Sequence, residues 1–166
     1  MNQVLEAIAD RRSIRSYTDI PVTDAQLALL EKAALEAPSA VNRQPYHFTF
    51  VRDKVLLDAF KAAANPDMDI LRGAPMVCFI FGDTSSVWAP IDSGIAVENL
   101  ALAAHSLGLG SVILGMPREV FAKNGDAWRG RLCCPAGMDF MIAIGIGTPA
   151  AGKDAHPVRE GLITEL

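Results

Sequence analysis

The sequence predicts one domain of mixed helices and strands, and three observations carry that prediction. Helical and strand periodicities alternate along the chain, with apolar stripes at helical spacing and four apolar or alternating runs of strand length. At 166 residues the chain is long enough for one sizeable core and too short to divide safely, so residues 1–166 are read as a single domain. A composition of 51% hydrophobic and 20% charged residues excludes disorder and implies an unusually large buried fraction, with a subunit interface a plausible part of it.

The net charge of −4 and a pI near 5.3 give a field that repels nucleic acid and anionic membranes, so basic residues must act locally. No stretch has the length of a signal-peptide core or a membrane span, and a cytoplasmic protein is expected. Cys78, Cys133 and Cys134 make an odd count without CxxC spacing, which fits a reducing compartment.

Residues 2–11 place Val4, Leu5, Ile8 and Ala9 on one stripe, which predicts a first helix docked on the core and ending in Arg11-Arg12-Ser13-Ile14-Arg15. Three guanidinium groups and a hydroxyl in five residues resemble a seat for a phosphate, whose oxygens match their forks of donors. Cations at a helix end also simply complement the macrodipole and face water. Thr23-Asp24-Ala25-Gln26 has the capping-box pattern, Leu27, Leu30 and Ala34 continue an apolar face, and Pro38 stops this second helix.

Between Pro38 and Pro45 lies a loop in which Ser39 and Ala40 offer little side chain to obstruct a flat ring. Asn42 and Gln44 there supply donors and acceptors suited to an imide edge, or else satisfy the local backbone. Residues 46–52 read as a strand and 53–64 as a helix, with a break at Asn65-Pro66-Asp67. The run 76–81 reads as a buried central strand. Residues 91–107 form a helix apolar nearly all round, expected to be buried on every side, either through the middle of the domain or against its counterpart in a second subunit. His105 on it reads more simply as a core or edge residue than as a ligand. Gly108 caps that helix, 110–115 reads as a strand, and 117–123 as a short helix. An irregular stretch through Trp128 and Pro135 and a strand at 139–145 follow. Leu162, Ile163 and Leu166 predict a tail that docks.

Gly145-Ile146-Gly147 is not a dinucleotide fingerprint, because the glycine pattern is incomplete and no helix with an acidic partner follows. Walker, HExxH and GxSxG patterns are also missing from the sequence.

Taken in order, RRSIR, the APSAVNRQP loop, the Ala-rich helix, GLGSVILG and IAIGIGTP with a basic residue after it resemble the FMN-dependent nitroreductase family over nearly the whole chain. The resemblance implies an α+β fold with a mainly antiparallel central sheet flanked by helices, an intertwined homodimer and FMN sites at its interface. It assigns Arg11, Arg12, Ser13 and Arg15 to the FMN phosphate and the polar flavin edge. Pro38, Ser39 and Ala40 would contact the partner's flavin, with Asn42 and Gln44 close by. Ile113, Leu114 and Gly115 would lie beside the isoalloxazine ring, and Arg159 would complete the phosphate seat, with Lys153 or His156 as sharers.

The implied reaction is ping-pong hydride transfer through flavin N5, from NADH or NADPH to a nitroaromatic, quinone or similar small acceptor, with no catalytic acid or base required of the protein. The connection from Gly82 to Pro90 is short for the family and implies an open pocket. A flavin-binding or flavin-sequestering protein without turnover is the alternative, and a small module binding acidic partners through RRSIR is a third reading.

Overall fold

The computed structural model describes residues 2–64 and 69–166, so the break expected at Asn65-Pro66-Asp67 lies outside the described residues. Helix α1 spans Gln3–Asp10, α2 Asp24–Leu35, α3 Lys54–Ala62, α4 Ala89–Ser106 and α5 Arg118–Arg131. Strands β1 (Tyr46–Val51), β2 (Met76–Asp83), β3 (Gly110–Leu114) and β4 (Met138–Gly147) form one sheet in the order β1-β2-β4-β3, antiparallel at every pairing. This is the α+β architecture expected.

Alternation along β2 decides the layering. Val77, Phe79 and Phe81 face a core with Leu57 and Phe60 of α3 and Val120, Phe121 and Trp128 of α5, while Met76, Cys78 and Ile80 face Leu30 and Ala34 of α2 and the buried side of α4. Each face of the sheet is therefore covered by a helix pair. Phe60 stands at the centre of the first core, with ring centroids 4.9 Å from Phe79 and 4.9 Å from Trp128.

Local signals hold where they are strongest. Thr23 and Gln26 make the reciprocal capping box, and Gly108 takes a left-handed φ of 73° just past α4. Gly145 and Gly147 serve packing. A Cβ at Gly145 would lie 2.6 Å from the Ala74 Cβ, and one at Gly147 would lie 2.5 Å from Pro75.

Three expectations are corrected, and for α4 one of two alternatives is removed. Helix α1 has no buried residue, and its stripe of Val4, Leu5 and Ile8 is more than half exposed, because α2 and α4 already cover that face of the sheet. Helix α4 does not thread the middle of one domain, since Ile91 and Ile95 are 55% and 37% exposed on one side; the expected packing against a counterpart in a second subunit is the alternative that stands. The stretch read as irregular through Trp128 and Pro135 is helical as far as Arg131 and irregular only beyond it. Helix α5 crosses a kink at Asn124 (φ −139°) so that Trp128 can enter the core, with the Arg131 guanidinium 4.1 Å over its ring. The tail does not dock on its own chain: Leu162 and Ile163 are exposed, and residues 153–166 make no hydrogen bond or ion pair among the described residues.

Phe60→Ala removes a ring that meets three other aromatic rings, and is expected to cost about 3–5 kcal/mol, read from the urea midpoint with an unchanged slope.

Candidate functional site

The arginine cluster is positioned by backbone on both sides. Ser13 bridges Ser111 at the start of β3, and the Ile14 amide donates to the Ser111 carbonyl at 2.8 Å. Four residues on, the Thr18 amide donates to Thr148 O at 2.9 Å, and the Ala150 amide to Ser16 O at 3.0 Å. The Tyr17 hydroxyl fastens the corner by donating to Ile14 O at 2.7 Å. Residues 13–18 thus run from β3 to the exit of β4.

Arg11 and Arg12 line a cavity of about 520 Å³ whose other walls include Asp10, His105, Gly110 and Lys153. Ser13 and Arg15 line a neighbouring one of about 340 Å³, again with Lys153. Arg11 Nε lies 3.2 Å from Glu98 Oε1, an ion-pair distance without the alignment of a hydrogen bond, so this buried N–H has no acceptor among the described residues. Arg12 donates to Ala9 O and Arg11 O, and Arg15 to Ser13 O; neither meets a carboxylate among the described residues. Excess positive charge with spare donors around a cavity is chemically suited to an anion of phosphate type. Arg159 and His156 line neither cavity, so the tail cation brought to the arginines is Lys153.

The second group of expected residues sits elsewhere. In the loop 37–44, Val41, Asn42 and Gln44 all have left-handed φ (47°, 55° and 49°), and Val41 is 84% exposed. The Gln44 amide donates to Ser39 Oγ at 2.9 Å, and Gln44 Nε2 donates to Asn42 Oδ1 at 3.0 Å, so the two carboxamides hold one another. Neither cavity beside the arginines is lined by a residue of 38–44. Within one chain the two groups do not form one pocket.

At the end of β3, Gly115 is open: a Cβ there would meet nothing within 4 Å. Ile113 is 39% exposed, whereas the Leu114 side chain is buried in the core and can offer a ligand only its backbone. Beyond it, Arg118 donates to Met141 O at 3.3 Å, the carbonyl of the extra residue that β4 carries opposite Ile80 and Phe81. Arg118 also lines a cavity of about 570 Å³ with Thr84, Pro90 and Gly94. Only a short turn joins β2 to α4, so no helix is inserted between them beside this opening.

Sequence reasoning missed Asp92. It is 2% exposed on α4, and both its carboxylate oxygens accept from the Ala40 amide, at 3.2 and 3.3 Å. The available signal was an acidic residue in register with Ala96 and Leu100 on the buried side of an apolar helix.

The nitroreductase family model matches this chain over residues 8–70 and 59–148. A protein of Archaeoglobus fulgidus, provisionally named NADH dehydrogenase/NAD(P)H nitroreductase, is 36% identical over 162 residues, covering 94% of this chain and 91% of that protein. The FMN reductase [NAD(P)H] of Bacillus subtilis is 33% identical over 71% of this chain, which spans 56% of its length. The crystal structure of a nitroreductase with bound FMN from Desulfitobacterium hafniense superposes with a TM-score of 0.93 at 28% identity, covering 100% of this chain and 99% of that one.

Both tyrosines of the chain brace these segments, and burial raises both phenols above their ordinary value of 10. The nearby Arg15 charge partly offsets this at Tyr17; at Tyr46 the Ser39 hydroxyl opposes the rise and the Asp92 charge adds to it. A phenol raised in the folded state keeps its proton after the unfolded chain has lost it. The stabilisation is therefore complete below pH 10 and shrinks as pH rises above it. Ultraviolet titration of native protein is expected to show less tyrosinate at pH 10 than the half-ionised signal of two free phenols, with the remainder appearing in stronger alkali.

Proposed function

The chain belongs to the nitroreductase family, and from that premise we propose that it is an FMN-dependent oxidoreductase drawing hydride from NADH or NADPH. Its acceptors are nitroaromatics, quinones or similar small oxidants. Residues 1–166 act as one domain, and two copies form a homodimer with an FMN site at each end of their interface.

The observation that carries the reading is the cavity of about 520 Å³ walled by Arg11, Arg12 and Lys153, with the orphaned Arg11 Nε beside it. These donors fit a phosphate monoester, and the open backbone at Gly115 fits the close approach of a flat ring. When bound, FMN supplies the hydride chemistry at its N5. Arg11, Arg12, Ser13 and Arg15, with Lys153 in the place first expected of Arg159, hold the phosphate end and the polar edge. Ile113, Leu114 and Gly115 present backbone to the ring, and Pro38, Ser39, Ala40, Asn42 and Gln44 close over it from the partner subunit. The protein contributes position, hydrogen bonds and access rather than an acid or base.

The dimer is supported by what one chain leaves uncovered: the Ile91 and Ile95 side of α4, the stripe of α1 and the extended tail. A patch of this kind is unusual on a monomer and is satisfied by a second copy. The short turn after β2 leaves the ring open to exchange of reductant and acceptor, which suits a ping-pong cycle.

Purified protein is expected to be yellow, or to become so with added FMN, and to oxidise NADH or NADPH when menadione or a nitrofuran is present. Failure to bind FMN overturns the reading; tight binding without reduction by either nicotinamide would replace it with a flavin-sequestering role. Arg12→Ala should lose about 1.5–3 kcal/mol of FMN affinity, as expected for a charge-assisted bond, while riboflavin binds as before. Ile95→Glu should give monomers by sedimentation and lose FMN in the same preparation, since each site needs both chains.

A further inference from the structure

A carboxylate buried to 2% exposure normally collects several donors, yet among the described residues Asp92 meets one, the amide of Ala40, across 52 residues of sequence. The loop it reaches is costly to hold. Val41 at φ 47° and ψ 30° is a β-branched residue in the left-handed region, flanked by Asn42 and followed by Gln44 in the same region. Val41 is 84% exposed, so packing of its side chain cannot supply the restraint. Hydrogen bonds at the base of the loop can. The Tyr46 hydroxyl donates to Ala37 O at 2.8 Å, Ser39 Oγ accepts from Gln44 N at 2.9 Å, and Asp92 takes the amide between them.

We propose that Asp92 is a positioning residue: from inside α4 it fixes the Ala40 amide and so presets the Pro38–Gln44 loop in the conformation that receives the flavin ring. The carboxylate does not touch the ligand. It acts by lowering the freedom of the loop before binding, and its geometry requires only an acceptor at Oδ1 or Oδ2. An asparagine retains such an acceptor and an alanine does not.

The claim about loop order stands on this chain alone, and the claim about the ring rests on the proposed flavin site. Two measurements separate them. Hydrogen exchange of the 38–44 segment, followed by mass spectrometry on ligand-free protein, should be at least ten times faster in Asp92→Ala and near wild type in Asp92→Asn. Fluorescence titration should show Asp92→Ala losing affinity for FMN and riboflavin by the same factor of about ten, in contrast to Arg12→Ala, which spares riboflavin; Asp92→Asn should restore both. Wild-type exchange in Asp92→Ala overturns the proposal. So does fast exchange in both variants accompanied by a lowered urea midpoint in both, which would mark Asp92 as a general structural residue. Should wild type bind neither flavin while exchange behaves as stated, the functional reading fails and the positioning role of Asp92 survives.

Discussion

Helix α4 is the constraint from which the other features follow. It is 18 residues long and apolar around nearly its whole circumference, and such a helix needs hydrophobic neighbours on every side. One chain supplies them on one side, where Ala96, Val97, Leu100, Ala101 and Ala104 pack on α2 and the sheet. The other side carries Ile91, Gly94 and Ile95 to the surface. Both proposed parts of the site hang on this helix as well. Glu98 faces Arg11, His105 lines the anion cavity, and Asp92 holds the 38–44 loop. A second copy on the exposed side would complete the core and the site in one event, which makes association and ligand binding linked equilibria.

What the sequence made legible was local. Strand runs, the Thr23 capping box and the Gly108 cap each depend on neighbours within a few residues, and each stands where it was read. Tertiary burial is not encoded that way. Periodicity shows that α1 has an apolar stripe without saying which body covers it, and α4 looks equally buried whether its second neighbour lies in the same chain or another. At α5 the pair Asn124-Gly125 breaks the helical pattern, yet burial of Trp128 beside Phe60 carries the helix on to Arg131. Packing overrides weak propensity there.

The candidate site divides in the same manner. Clustered arginines are conspicuous because three like charges in five residues need a reason. The tail cation was not, because 153–166 has no period to set its register, and the fold selects Lys153 at the cavity while Arg159 remains outside it in the single chain. Ser39, Asn42 and Gln44 were visible as residue types suited to a ring edge. Their backbone geometry was not, since nothing in the sequence marks Val41 for a left-handed φ.

That last mismatch is informative. A strained conformation persists only where its surroundings determine it, and here the chain's own side chains supply that restraint. Three side-chain contacts converge on the loop, from Tyr46 at its exit, Ser39 within it and Asp92 across the interface with α4. Ordering a loop at the moment of binding would subtract from affinity, and ordering it during folding moves that cost to a step already driven by core burial. In the proposed site, shared between two chains, the saving would matter twice, because the surface offered to the partner must also match it. The exposed Val41 and the paired carboxamides of Asn42 and Gln44 are then a preformed face, and the buried carboxylate beneath them is what keeps that face in place.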